Sequence, residues 1–231
     1  MISIILPTYN EKDNVKNLVH SIKKNLLGTK HEIIIVDDNS PDGTYDIAKK
    51  IAKKDASVRA IVRKKKRGLA LSIKEGISIS KGDILIFMDS DLSHPPRYIP
   101  TLIKEISGND IVIASRFIKG GKMIYGNGIQ VLASKSINFF VRSMLGLKIK
   151  DVTGGFFAMR RSVLGRIDLD KIFNFYGDYF FRLMHCLKNE GLKIKEVPFT
   201  YEPRVTGVSK TRLLRVGFLY IREVFKILAG I

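Results

Sequence analysis

Short apolar runs alternate with segments of helical periodicity through the first half of this chain, and that alternation constrains its fold more than any other feature. Ile2–Leu6, Glu32–Val36, Val58–Val62, Ile84–Met88 and Ile111–Ala114 are strand-like runs rich in β-branched residues. Between them Val15, Leu18, Val19, Ile22 and Leu26 recur at helical spacing, as do Ile47, Ala48 and Ile51, then Leu71, Ile73 and Ile77, then Ile99, Leu102, Ile103 and Ile106. Strands alternating with helices predict an α/β fold, a mostly parallel central sheet with helices on both faces. Ligands of such sheets bind beyond the carboxyl ends of the strands, where Tyr9, Asp38 and Asp89 would be presented together.

The fourth run ends on Asp89-Ser90-Asp91. In extended backbone, residues i and i+2 point to the same side, so the two carboxylates can converge. Held close, they would repel unless one were protonated or a hard cation sat between them, and Mg²⁺ or Mn²⁺ carrying a diphosphate would meet both needs. A solvated loop with a helix cap is the alternative. Ser40 or Asp42 could cap the second helix, and Pro95 and Pro96 suit a first helical turn. The basic loop Arg63–Arg67, ahead of Gly68, could hold phosphate at a helix start, or be solvated surface. Neither G-x-G-x-x-G nor a G-K-[ST] phosphate loop is present, so any nucleotide is gripped by other means.

A sequence of 231 residues can bury one sizeable core. Its single cysteine, Cys186, excludes an intrachain disulfide framework and a multi-cysteine zinc site, suits a reducing compartment, and reads as a small buried hydrophobe. No secretory signal opens the sequence, and no charge-free apolar run approaches the roughly 18 residues of a spanning helix, so the chain is not expected to cross a membrane by itself. A formal net charge of +18 predicts polyanionic company: nucleic acid, anionic lipid or phosphorylated substrates. No aromatic-rich RNA-binding strand or helix-turn-helix signature is present, and nucleic acid is not expected as a partner.

Beyond residue 120 the alternation breaks. Ile129–Leu145 reads as an amphipathic helix with Lys135 and Arg142 on one face, Asp151–Met159 as a turn into a strand, Tyr176–Glu190 as a helix and Lys193–Phe199 as a last strand. Arg212–Ile231 is again amphipathic, with Arg215, Arg222 and Lys226 on one face. A catalytic domain over 1–210 and a basic C-terminal helix over 211–231 are the expected divisions.

Pro7-Thr8-Tyr9-Asn10-Glu11, then Val36 through Asp42, Asp89-Ser90-Asp91 with His94-Pro95-Pro96, Asp151 through Phe156, and Arg204 with Gly207 through Lys210 stand in this order. Together they resemble family 2 inverting glycosyltransferases from Ile2 to about Lys210, and within that family most the dolichyl-phosphate mannose synthases. The resemblance implies a GT-A fold, a nucleotide-sugar donor (GDP-mannose in that group), a divalent metal, Mg²⁺ or Mn²⁺, and a polyprenyl-phosphate acceptor. Carried over by position, it places Pro7, Tyr9, Glu11, Val36 and Asp38 at the nucleoside, and Asp89 and Asp91 at metal and diphosphate with the Ser90 backbone between them. It places Arg116, Arg204 and Lys210 at phosphate groups, with Asp91 and Arg116 assisting the transfer. Each of these side chains also has a plain reading: Tyr9 as packing, Asp38 as a turn cap, Arg116 as the partner of a nearby acid, His94 as a residue that orders its loop.

A phosphate monoester is already an oxyanion at neutral pH, so such an acceptor needs no general base. Two departures from the family pattern leave an alternative open. Ser93 stands where relatives often carry glutamine near the metal, and Asp178 lies at a helix start in the acceptor half. Asp178 could serve as general base for a saccharide hydroxyl, with UDP-glucose as another possible donor, or could be a helix N-cap or first-turn acid. A polyprenyl tail stays in the bilayer, so a peripheral site on the cytoplasmic side of a membrane is expected. Ile129–Leu145 and Arg212–Ile231 would then lie in the interface, pack on the sheet or meet a membrane-anchoring subunit.

Overall fold

A computed structural model describes residues 1–124, 128–174, 178–204 and 213–230, without the side chains of 213–215. Seven strands form the main sheet, in the order β3-β2-β1-β4-β7-β5-β8. These are β1 (Ile2–Thr8), β2 (His31–Asp37), β3 (Val58–Val62), β4 (Ile84–Phe87), β5 (Ile111–Ser115), β7 (Phe157–Arg160) and β8 (Ile194–Pro198). The strands β1 to β4 pair in parallel with one another, with Ile4 opposite both Ile33 and Ile86. All five strand-like runs of the first half are strands, and β3 keeps its predicted bounds.

Helices α1 (Lys12–Asn25), α2 (Thr44–Lys54), α3 (Leu69–Ile79) and α4 (Ile99–Ile106) follow strands as the periodicity predicts. A 3₁₀ turn, Pro96–Tyr98, leads into α4 with its proline at the first position. In the second half come β6 (Lys122–Met123), α5 (Gly128–Met144), α6 (Leu169–Ile172), α7 (Tyr179–Leu187), β9 (Thr200–Tyr201) and α8 (Leu213–Leu228), with β6 and β9 paired apart from the main sheet.

One element sits where sequence order did not place it. The strand β7 inserts between β4 and β5 and runs antiparallel to both, with Phe157 opposite Phe87 and Ile113. The Phe87 and Phe157 rings stack there with centroids 4.5 Å apart. Period-two alternation sends Ile4, Leu6 and Ile86 to a core shared with α1 and α4, and Ile5, Leu85 and Phe87 to a core shared with α3, α5, α7 and α8. Val224 of α8 is fully buried in the second core.

Cys186 is exposed, against the expectation of burial. Helix α7 buries Tyr179, Phe180, Leu183, Met184 and Leu187, a stripe of helical period that Cys186 falls outside. The N-cap of the second helix is Gly43, with no side-chain capping bond, so neither Ser40 nor Asp42 caps it; Asp42, one residue earlier, accepts from the Thr44 N–H at 3.0 Å.

Candidate active site at the strand ends

Strand β4 stops at Phe87, so Asp89-Ser90-Asp91 lies in a bend rather than in extended backbone, and Leu92 has a φ of 68°. The two carboxylates are near each other but differ in surroundings. The Asp91 side chain is 4% exposed and its oxygens are taken: Oδ1 accepts from the Ser93 N–H at 3.0 Å and the Ser93 hydroxyl at 2.5 Å, and Oδ2 faces Arg204 Nε at 2.9 Å. Asp89 is 40% exposed, and its nearest cationic candidate, His94 Nε2, is 3.9 Å from Oδ2. Desolvation, with Asp91 adding to it, pushes the Asp89 carboxyl above the usual range, opposed by His94, Arg204 and Arg116.

His94 orders this bend. Its Nδ1 accepts the Asp89 backbone N–H at 3.0 Å, which assigns the ring proton to Nε2. The ring stacks on Phe156 and meets Phe199 and Tyr201 edge-on. Burial pushes its pKa down, so imidazole is the resident form. Gly155 admits the neighbouring groups: a Cβ there would lie 3.1 Å from the Tyr179 hydroxyl and 4.0 Å from His94 Cε1.

Arg116, at the end of β5, is clamped by Asp151. Its Nε and Nη2 donate to the two carboxylate oxygens at 2.8 and 2.7 Å, its backbone N–H donates to Oδ2 at 2.9 Å, and Nη2 reaches the Thr153 hydroxyl at 3.0 Å. This bidentate pair fixes the guanidinium plane near Asp89 and 5.7 Å from the Tyr201 ring. The plain reading of Arg116 as an acid's partner therefore describes a real contact, and the same contact orients it.

Around this centre the other predicted residues are distributed unevenly. Ser90 donates from its hydroxyl to the Pro7 carbonyl at 2.9 Å, joining the ends of β4 and β1. Glu11 is buried and accepts from the Asn14 amide at 2.7 Å. Arg67 lies 4.2 Å from the Tyr9 ring centroid. Asp38 accepts from the Gly68 N–H at 2.6 Å and pairs with buried Arg63, and burial pushes its carboxyl up against both partners. The basic loop is thus split, with Arg63 turned inward and Lys64 through Arg67 exposed. Val36 is fully buried and turned toward α3, where a Cβ on Gly76 would lie 3.3 Å from it. Lys210 lies outside the described residues.

Asp178 is buried beside Arg182, whose Nε donates to it at 2.9 Å, and Arg182 also reaches Glu223 of α8. Asp178 stands at the N-cap position of α7, as one of its readings had it, but its carboxylate makes no capping bond there. Asp151, Thr153, Tyr179 and Tyr201 were not singled out as site residues. Asp151 heads a quoted motif, but its partner lies 35 residues away and no spacing rule links the two.

The donor set suits a hard cation: Asp89 offers an open carboxylate, and Asp91 can offer a second where Arg204 yields Oδ2. Among the described residues no group of three or more His, Cys, Asp and Glu side chains is placed to hold a metal ion.

Known proteins resemble this chain in sequence and in fold. The sequence model of glycosyl transferase family 2 matches residues 3–168. A dolichol-phosphate mannosyltransferase of Pyrococcus furiosus is 38% identical over 231 residues, covering 98% of this chain and 63% of that protein. The chain therefore spans less than two thirds of that relative. An undecaprenyl-phosphate mannosyltransferase of Micrococcus luteus is 36% identical over 213 residues, covering 89% of this chain and 85% of its own length. The crystal structure of glucosyl-3-phosphoglycerate synthase from Mycobacterium tuberculosis, in complex with Mn²⁺, UDP and glucosyl-3-phosphoglycerate, superposes with a TM-score of 0.73 at 23% identity, covering 100% of this chain and 79% of that one. At that identity the likeness establishes the fold, which is a GT-A-like α/β fold.

Proposed function

Because the chain belongs to glycosyl transferase family 2, we propose that it is a hexosyltransferase that moves mannose from GDP-mannose to a polyprenyl phosphate, with inversion. The names of its relatives support the reaction class. The observation that carries the choice of acceptor is that, among the described residues, neither His94 nor Asp178 is disposed to act as a general base. His94 has spent its accepting nitrogen on the Asp89 N–H. Asp178 faces the Arg182 guanidinium. An acceptor that arrives already ionised fits such a site, and a sugar hydroxyl does not.

In this reading Pro7, Tyr9, Glu11 and Asp38 border the nucleoside, with Val36 acting from behind as packing. Asp89 and Asp91 would hold a divalent ion, Mg²⁺ or Mn²⁺, whose charge offsets that developing on the departing diphosphate. Arg204, on leaving Asp91, and Lys210 would meet phosphate oxygens. Arg116, its plane fixed by Asp151, orients an acceptor oxygen for attack at the anomeric carbon. The new carbon–oxygen bond forms as the bond to GDP breaks, and the electron pair leaves with the nucleotide; fixed orientation supplies much of the acceleration.

Access to a lipid acceptor is the other requirement. No helix of the described residues is long and apolar enough to cross a membrane. Helices α5 and α8 pack together and expose Ile129, Leu132 and Phe139 on one, and Phe218 and Phe225 on the other, at 56 to 78% of full exposure. Such faces suit a peripheral position in the cytoplasmic interface of a membrane.

The test is a donor-by-acceptor screen. With labelled GDP-mannose, Mg²⁺ or Mn²⁺ and dolichyl phosphate, a lipid-soluble labelled product is expected, and Asp91→Ala should abolish it while the fold persists. Turnover with UDP-glucose alone would move the donor, and no turnover with any lipid phosphate would sink the acceptor. Asp178→Asn should leave phosphate transfer nearly unchanged, whereas a hydroxyl acceptor would lose most of its rate.

A further inference from the structure

A recess of about 380 Å³ lies between α5 and the segment that follows β5, lined by Lys135, Asn138, Phe139 and Arg142 of the helix and by Lys150 and Arg116. We propose that it binds the phosphate headgroup of an anionic bilayer phospholipid, a lipid distinct from the acceptor. The inference rests on the reading of this chain as acting at a membrane surface and names what that surface must contain.

Three features carry it. First, Arg116 is neutralised by Asp151, but Lys135, Arg142 and Lys150 make no ion pair with an acid among the described residues. Three uncompensated cations around one recess form a site for a phosphate, which a single lysine would not. Second, Leu132, Lys135, Phe139 and Arg142 follow one another at intervals of three or four residues, so apolar and cationic side chains alternate along one stripe of α5. Leu132 is 66% and Phe139 65% exposed, and this stripe suits an amphiphile, phosphate on the cations and glycerol and first methylenes on the rings, better than a free anion. Third, neither Asp89 nor Asp91 lines the recess, so its occupant does not compete for the metal pair. Arg116 borders both the recess and the acceptor, and loss of transfer in the triple variant below would make the recess the acceptor's own phosphate site and overturn the separate lipid. Asn138 is held inside by its own bonds, its Oδ1 accepting from the Val152 N–H at 2.8 Å, and keeps the floor of the recess in place.

The test compares binding of the full chain to phosphatidylcholine vesicles with and without phosphatidylglycerol. Each cation near an anionic surface contributes about fivefold in affinity, so Lys135→Gln/Arg142→Gln/Lys150→Gln should lose about a hundredfold on the anionic vesicles. Lys50→Gln/Lys53→Gln/Lys54→Gln on the exposed face of α2 removes the same charge elsewhere and should lose far less. Equal losses from the two variants would overturn the site in favour of net charge. Should the triple variant fold poorly, Lys135→Glu alone reverses one charge and should cost roughly twentyfold; no loss from it would also overturn the site. Inorganic phosphate serves as the free-anion probe: if it binds the chain in calorimetry through these cations while vesicle binding ignores them, the lipid assignment is wrong. Transfer to a short, water-soluble polyprenyl phosphate should survive the triple variant. Its absence in the unaltered chain would defeat the proposed reaction and leave the vesicle result standing.

Discussion

Asp89 and Asp91 look equivalent as letters and are opposite as groups. One is open with its pKa raised by desolvation, the other buried and shared between Ser93 and Arg204. Ser93 spends its hydroxyl on Asp91, which accounts for a small residue there: it sets the carboxylate plane. If Arg204 and a metal compete for Asp91 Oδ2, Arg204→Gln should tighten Mn²⁺ binding in the absence of nucleotide by several-fold while transfer falls. Titration followed by electron paramagnetic resonance would read the first effect, and unchanged Mn²⁺ affinity would remove the competition. At Arg116, a lysine cannot span both oxygens of Asp151 and leaves a fully buried acid half-paired. Arg116→Lys should therefore cost about 3 kcal/mol in urea unfolding. A transfer defect at full stability would mean that the clamp serves catalysis alone.

At the scale of elements, close approach explains what a helix does for the sheet. A Cβ on Gly76 of α3 would lie 2.6 Å from Ile5 Cγ2, so the helix can settle on β1 and β2 only because that residue has no side chain. Gly76→Ala should destabilise by about 2 kcal/mol through overpacking, as denaturant midpoints will show. A second tie joins α1 to the turn before β3, where Lys23 and Ser57 hold Asp55 down to about 2. A carboxyl lowered in the folded state contributes stability above its unfolded value, near 4, and loses it as pH falls through about 2. Lys23 is 42% exposed, so solvent screening cuts the contribution, and Asp55→Asn should cost about 1 kcal/mol at neutral pH, with the cost shrinking as pH falls toward about 2 and gone below it. A cost that does not vary with pH would mean packing, not charge.

Over the whole molecule, the cluster around Asp89 and Asp91 lies at the strand ends, and α5 and α8 expose apolar faces. Helix α8 is anchored by buried Val224 and by Glu223, which receives Arg182 of α7 as well as Arg222 and Lys226. Its other face leaves Phe218 and Phe225 uncovered. Phe218→Ser/Phe225→Ser should weaken binding to phosphatidylcholine vesicles at least tenfold, on the order expected for losing two buried aromatic rings, and leave the unfolding midpoint unchanged. A lowered midpoint with unaltered vesicle binding would identify the face as a packing surface.

Sequence by itself determined the β/α alternation, the five parallel-type runs, both amphipathic helices and the order of the motifs, because each depends on local periodicity or on adjacent letters. The family resemblance, not spacing, set Asp89, Asp91, Arg116 and Arg204 at one site, and the structure brings Arg204 to Asp91. Tertiary structure alone decided the antiparallel insertion of β7, the clamp of Asp151 on Arg116, the bond from the Asp89 N–H to His94, the pairing of Asp178 with Arg182 and the exposure of Cys186. The β7 insertion and the Asp151 clamp depend on which groups meet after the chain has crossed the sheet, and contact at long separation leaves no mark in spacing. Asp178 with Arg182, four residues on, and Asp89 with His94, five residues on, are near in sequence, and there the folded backbone decides which of several neighbours each group meets.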